Sequence, residues 1–147
     1  TQMQSKEIEE QRKTLEEKIN THRKQNRNLD KEILQLIEII ESIKSITYMV
    51  EYDLKGFVVD VSRKTLNVLD AKRGDLISKH HKMLIQDDAY DKKYEKFWSE
   101  LTNNKAQFLT EKVVFDEKVV TLSQSYVPIR NTRRKIYRIL SVGSVIE

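Results

Sequence analysis

Two adjacent histidines, His80 and His81, are the residues here that most readily carry chemistry. Imidazole can ligate a metal, hold a haem iron or move a proton near neutral pH. Neighbouring positions serve a single metal poorly, because they diverge by about 100° on a helix and face opposite sides of a strand. The remaining histidine, His22, lies far off in the chain. A structural role is therefore expected for the pair: one ring capping backbone groups or bonding a carboxylate, the other at the surface. Haem ligation is the second reading. Further along, Tyr94, Phe97, Trp98 and Leu101 recur at helical spacing. Phe97 is expected in the core. Trp98 is expected to line a pocket between helix and sheet, since a buried indole N–H needs a partner. Ser125 and Tyr126 alternate on a predicted strand, so one of them faces that pocket, and the sequence does not say which. The candidate pocket residues are thus Trp98, His80, His81 and Ser125, with the pocket's contents left open.

Other chemistries find no footing. The chain has no Cys, which removes disulfides, thiolate metal sites, cysteine nucleophiles and thiol-adduct photochemistry together. Gly56, Gly74 and Gly143 are scattered, so no phosphate-cradling loop forms, and no Gly-x-Ser-x-Gly elbow is present. A regulatory module is expected rather than an enzyme.

The element that must position everything else is the amino-terminal stretch. Read in sevens, Ile8, Leu15, His22, Leu29, Leu36 and Ile43 form one column, and Arg12, Ile19, Asn26, Ile33 and Ile40 form the other. These are the d and a positions of a heptad repeat. Leu is commonest at d, Ile at a, and one Asn interrupts column a; that combination favours two parallel strands, with the Asn fixing register. No Gly or Pro occurs before Gly56. The expectation is a parallel homodimeric coiled coil over residues 1–45, paired through Ile8, Leu15, Ile19, Asn26, Leu29, Ile33, Leu36, Ile40 and Ile43. Arg12 and His22 weaken its first half. Leu34, Ile37, Ile39 and Ile46 widen the apolar stripe beyond what a two-stranded seam needs, so they are expected to pack on the following domain.

After Ile46 the texture changes. Thr47 to Asp53 and Phe57 to Val61 read as two short strands around Gly56. Ser62 is a candidate N-cap for a short helix carrying Leu66 and Leu69. A helical turn spans Lys72 to Ile77, and an amphipathic helix runs from Asp91 to Asn103. Three longer strands follow: Ala106 to Phe115, Lys118 to Val127, and Lys135 to Val145, with Asp116-Glu117 as a tight hairpin, Pro128 and Asn131 opening the loop before the last strand, and Pro fitting an edge or strand end. Two strands, helices, then three strands predict an α+β domain over 46–147: a five-stranded antiparallel sheet with helices on one face.

Charge excludes little. Lys and Arg total 27 against 23 Asp and Glu, a net charge of +4. The cluster from His22 to Arg27 is flanked by heptads on both sides, unlike a basic region that precedes its zipper, so a solvated helix face is expected and nucleic acid is not an expected partner. No apolar run approaches the roughly 18 residues of a membrane span, and no secretory signal is present, so a cytoplasmic protein without direct membrane insertion is expected. The first residue is Thr1 rather than Met. The chain is expected to be part of something longer.

Order and residues together resemble a PAS domain, the sensory module of bacterial signalling proteins, over about residues 46–145. The matching stretches are Glu51-Tyr52-Asp53-Leu54-Lys55-Gly56, Ser78-Lys79-His80-His81-Lys82-Met83-Leu84, Phe97-Trp98-Ser99-Glu100-Leu101 and Ser125-Tyr126-Val127-Pro128-Ile129. They resemble the subgroup with Gly-Lys-His-His before the long helix, Phe-Trp-x-x-Leu in it, and Ser-Tyr-x-Pro-Ile in the penultimate strand. Such domains occur in chemotaxis-type receptors and hybrid sensor kinases. The chain departs from the pattern at Ser62, at Asp70 and Ser78 where Gly is usual, at the Asp116-Glu117 hairpin, and at Gly143-Ser144-Val145-Ile146 in place of a closing Asp-Ile-Thr. The resemblance implies a dimeric sensor or relay coupled to other domains of a longer two-component or chemotaxis-type signalling protein. It implies two alternatives as well: a flavin- or haem-binding redox or gas sensor, or a scaffold whose pocket is filled by side chains.

Overall fold

The computed structural model describes residues 1–85 and 91–146. The chain divides into two compact units, Thr1–Glu41 and Ser42–Glu147. The first is entirely helical and belongs to α1, Gln2–Ile46. No residue of α1 is buried. The seam positions are open, from Ile19 at 43% exposure to Ile8 at 66%. Leu34, Ile37, Ile39 and Ile46 are also exposed. They widen the apolar stripe of α1.

The second unit is built on one antiparallel sheet. Its strands are β1 (Tyr48–Tyr52), β2 (Val58–Val61), β3 (Gln107–Phe115), β4 (Lys118–Arg130) and β5 (Ile136–Val145), in the spatial order β2-β1-β5-β4-β3. Between β2 and β3 lie α2 (Arg63–Leu69), α3 (Arg73–Leu76), a 3-10 turn His81–Leu84 and α4 (Asp91–Thr102). Alternation decides which strand residues face in. Tyr48, Val50 and Tyr52 of β1, Val113 of β3, Leu122 and Tyr126 of β4, and Ile139 of β5 are buried; with Leu69, Leu76, Leu84, Phe97 and Leu101 from the helices they form one core.

Local chemistry fixes the joints. Ser62 caps α2 by accepting from Thr65 N–H at 3.2 Å. The same hydroxyl donates to Thr47 C=O and accepts from Met49 N–H, tying the helix start to the start of β1. Only Thr47 separates α1 from β1. The last turn of α1 is held by Lys44, 3.4 Å from the Asp60 carboxylate, which Arg73 of α3 also bonds. Burial works to raise the Asp60 pKa, but the Arg73 and Val61 N–H bonds and the two nearby cations outweigh it and hold the carboxyl below its ordinary value.

Two positions where Gly is usual, Asp70 and Ser78, take a backbone conformation that Gly favours, and Asp116 of the hairpin does too. Asp70 (φ 50°), Ser78 (φ 70°) and Asp116 (φ 51°) all adopt the left-handed region. Asp reaches this region more readily than most residues because its short side chain bonds locally. One strand boundary differs from expectation: Pro128 lies inside β4, which runs on to Arg130. The β3 partner ends at the Gln107–Tyr126 pair, so beyond it β4 has only β5 as a neighbour, and a residue without N–H costs no ladder bond on the vacated side. The loop begins at Asn131, the second of the two residues expected to open it, whose side-chain oxygen accepts from Arg133 and Lys135 N–H.

Candidate functional site

The interior between helices and sheet centres on His81. The 3-10 turn carries it inward, and it is 1% exposed. Its Nδ1 lies 3.0 Å from the Tyr94 hydroxyl of α4, and its Nε2 lies 2.8 Å from the Tyr126 hydroxyl of β4. Tyr126 donates in turn to Glu111 Oε1 on β3. That last bond sets the polarity of the others. With its proton committed to the carboxyl, Tyr126 accepts from His81 Nε2–H, which leaves Nδ1 to accept from Tyr94 O–H. The chain of bonds thus runs one way, Tyr94 to His81 to Tyr126 to Glu111. Gln124 Nε2 donates to the same Glu111 oxygen at 2.9 Å.

Aromatic rings enclose the imidazole. Phe97 stacks at 6.0 Å between centroids, while Tyr52 and Tyr126 meet it edge-on at 5.0 and 5.3 Å. Burial, with a smaller push from His80, drives the His81 pKa down to about 3, so the ring is neutral. Burial likewise raises the Glu111 carboxyl above its usual range, against the opposing bonds from Tyr126 and Gln124, and raises the Tyr52 and Tyr126 hydroxyls.

His80 has a different task. Its Nε2–H donates to Lys55 C=O at 2.8 Å and its Nδ1 accepts from Lys82 N–H, so the ring caps the 3-10 turn and ties it to the turn before β2. Gly56 makes room for it: a Cβ there would come within 2.8 Å of His80 Nε2, and φ is +94°. The expected division of the pair thus holds for the capping ring, His80, but the other ring is not at the surface. His81 is buried, where two hydroxyls meet its needs. Trp98 is half-buried at the rim, stacked on Tyr94, and its indole N–H donates to Leu54 C=O at 2.7 Å.

Ser125 does not join the others. Strand alternation turns it to the opposite face of the sheet, opposite Phe108 and Val142, while Tyr126 takes the inward position. The structure therefore brings His81 together with Tyr126, places His80 and Trp98 around it, and removes Ser125 from the interior. Glu111, Gln124 and Tyr94 complete the site without having been singled out. For two of them there was a signal: Glu111 falls in the inward row Leu109, Glu111, Val113, and Gln124 between Leu122 and Tyr126, so each puts a polar group where alternation demands an apolar one.

Sheet order, the run of short helices between β2 and β3, and the inward histidine turn together decide the architecture. The chain has the PAS fold. The PAS domain of an HTR-like protein from Haloarcula marismortui superposes with a TM-score of 0.65 at 10% identity, covering 82% of this chain and 99% of that one. A PAS domain from Colwellia psychrerythraea gives 0.65 at 16% identity, covering 78% and 96%. A light-oxygen-voltage domain studied with a flavin analogue gives 0.62 at 14% identity, covering 77% and 85%. No family model and no curated protein matches the sequence. At these identities the likeness speaks for the fold alone.

Among the described residues, side chains rather than open space occupy the centre of this PAS interior, which leaves a flavin or haem no room there as packed. Tyr52, His81, Phe97 and Tyr126 fill the space between α4 and the sheet, and His81 has both ring nitrogens engaged. Among the described residues, no three His, Cys, Asp or Glu side chains converge to hold a metal ion. Among the same residues, no helix is long and apolar enough to cross a membrane.

Proposed function

We propose that this chain is a regulatory PAS module, not an enzyme, that pairs with a second copy through α1 and relays a ligand or partner signal to another domain of a longer cytoplasmic signalling protein. One observation carries the reading. A helix of 45 residues, joined to a PAS fold, leaves the whole a/d seam exposed. Burying one such Leu or Ile against a partner is worth about 1.5–3 kcal/mol. A parallel pairing buries both columns at once and sets Asn26 against its counterpart, which fixes register. The signal acts by favouring one of two arrangements of the helix pair, and it does so only through a difference in affinity for the two.

The filled interior favours a second reading, a PAS domain kept for dimerisation or partner docking with no ligand of its own. The relay reading requires the paired helix, and so does dimerisation in the second. Sedimentation equilibrium of the full chain beside Leu36→Asp/Ile40→Asp tests it. A dimer at micromolar concentration that the double substitution converts to a folded monomer is the expected result. A wild-type monomer, or a dimer indifferent to the substitution, would overturn the helix pairing.

A further inference from the structure

Two buried oxygens in the sheet interior have nothing to bond: Glu111 Oε2 and Gln124 Oε1. They belong to groups already joined to each other, since Gln124 Nε2 donates to Glu111 Oε1. As a carboxylate, Glu111 would present a charge and a bare oxygen to a dry interior, beside an amide oxygen equally bare. Neither acceptor can relieve the other. No ion pair among the described residues includes Glu111. The titratable groups bearing on it are Tyr48 and Tyr52 from β1 and Tyr126 from β4, with His81 and then Tyr94 further along the bond chain. Burial raises the three hydroxyls of Tyr48, Tyr52 and Tyr126 and lowers the His81 ring, so near pH 7 these four are neutral and none of them offsets the charge.

One proton resolves both vacancies. It removes the charge and turns Oε2 from an acceptor into a donor. We propose that Glu111 is a proton-binding site of the folded chain, its carboxyl neutral and Oε2–H donating to Gln124 Oε1, so that acid and amide form a two-way pair that ionisation breaks. The site stands on the sheet interior alone and is independent of the helix pairing.

The surroundings support the arrangement. Burial raises the affinity of this carboxyl for a proton. Gly143 of β5 leaves the space Gln124 Oε1 uses: a Cβ there would lie 2.8 Å from that oxygen. Tyr126 O–H still bonds Oε1, which a neutral acid offers as a carbonyl. On ionisation Oε2 has no donor and the amide must turn or the site must open. The group placed to feel this is Tyr126, which bridges Glu111 to His81 and so to α4.

The experiment is a carboxyl-carbon NMR titration of the full chain labelled at glutamate, with Glu111 assigned through the backbone. The expected result is a Glu111 signal at the protonated position near neutral pH, titrating above the exposed glutamates. Unfolding by denaturant, compared between wild type and Glu111→Gln, gives a second reading. The amide mimics the neutral acid, donating N–H where the acid donates O–H. Wild type binds a proton in the folded state that it loses on unfolding, so its unfolding constant relative to the variant should grow about tenfold per pH unit above the ordinary glutamate pKa, until Glu111 itself ionises. A Glu111 signal that titrates with the exposed glutamates would overturn the proposal. So would parallel pH profiles for the two proteins. If the variant does not fold, the wild-type titration decides alone.

Discussion

Replacing Tyr126 by Phe removes one oxygen and leaves the ring where it is, edge-on to His81 and Phe97. The missing hydroxyl has three bonds in the fold: one accepted from His81, a longer one accepted from Gln124 Nε2 at 3.4 Å, and one donated to Glu111. Phe therefore strands one ring nitrogen of an imidazole that is 1% exposed. An unmet buried polar group costs about 1–3 kcal/mol, and the lost bond to Glu111 adds about 1 kcal/mol. The sum is about 2–4 kcal/mol. For a domain of roughly 100 residues each kcal/mol lowers Tm by about 4–8 °C, so a fall of roughly 10 °C or more is expected. The assay is thermal and denaturant unfolding at fixed protein concentration, because pairing through α1 would make Tm depend on concentration. Tyr94→Phe removes the donor to His81 Nδ1 and should also destabilise, since it leaves that buried acceptor unmet. A Tyr126→Phe protein within about 0.5 kcal/mol of wild type, the range typical of surface substitutions, would mean the interior is wet and the bond chain idle.

Three further outcomes follow. Between pH 6.5 and about 3 the unfolded chain binds a proton at His81 that the folded chain refuses, so stability is lost as pH falls, by up to about 1.4 kcal/mol per unit; an acid titration of unfolding should show this slope, and His81→Gln should flatten it. Gly56→Ala should destabilise by more than about 1 kcal/mol, because it strains φ and collides with His80, whereas Ser78→Gly should stabilise by about 0.5–1 kcal/mol by relieving a left-handed serine; paired denaturant curves check both signs. Asn26→Ile should raise the melting temperature of the paired helix while loosening its register, and sedimentation should then find species beyond the dimer; a strictly dimeric, less stable variant would show that Asn26 is not buried in the pair.

What the sequence conveyed and what it withheld differ for physical reasons. Periodicity is a property of the chain itself, so α1 and the alternating strands were legible residue by residue, down to the Ser62 cap. The inward turn of His81 was not, because a short 3-10 turn has no period long enough to assign a face. Ser125 and Tyr126 differ by one step of a two-step alternation, and a single residue of register exchanges them. Glu111 and Gln124 were visible as polar interruptions of apolar rows, yet their meaning depends on a partner strand that only folding supplies. Pro128 misled for a related reason: a residue barred from a ladder flanked on both sides is harmless once one flank has ended.

The single residue between α1 and β1 gives length the meaning of an angle. With Thr47 as the whole joint and Lys44 fastened to Asp60, little slack is available to absorb a change upstream. Each residue added to or removed from the helix turns its apolar stripe by about 100° about its own axis relative to the first strand, while seven bring it nearly back to phase. The heptad therefore acts as a gear tooth as well as an adhesive. An insertion of seven residues should nearly preserve the phase of the stripe along the helix, whereas one of two or five should turn it to another side.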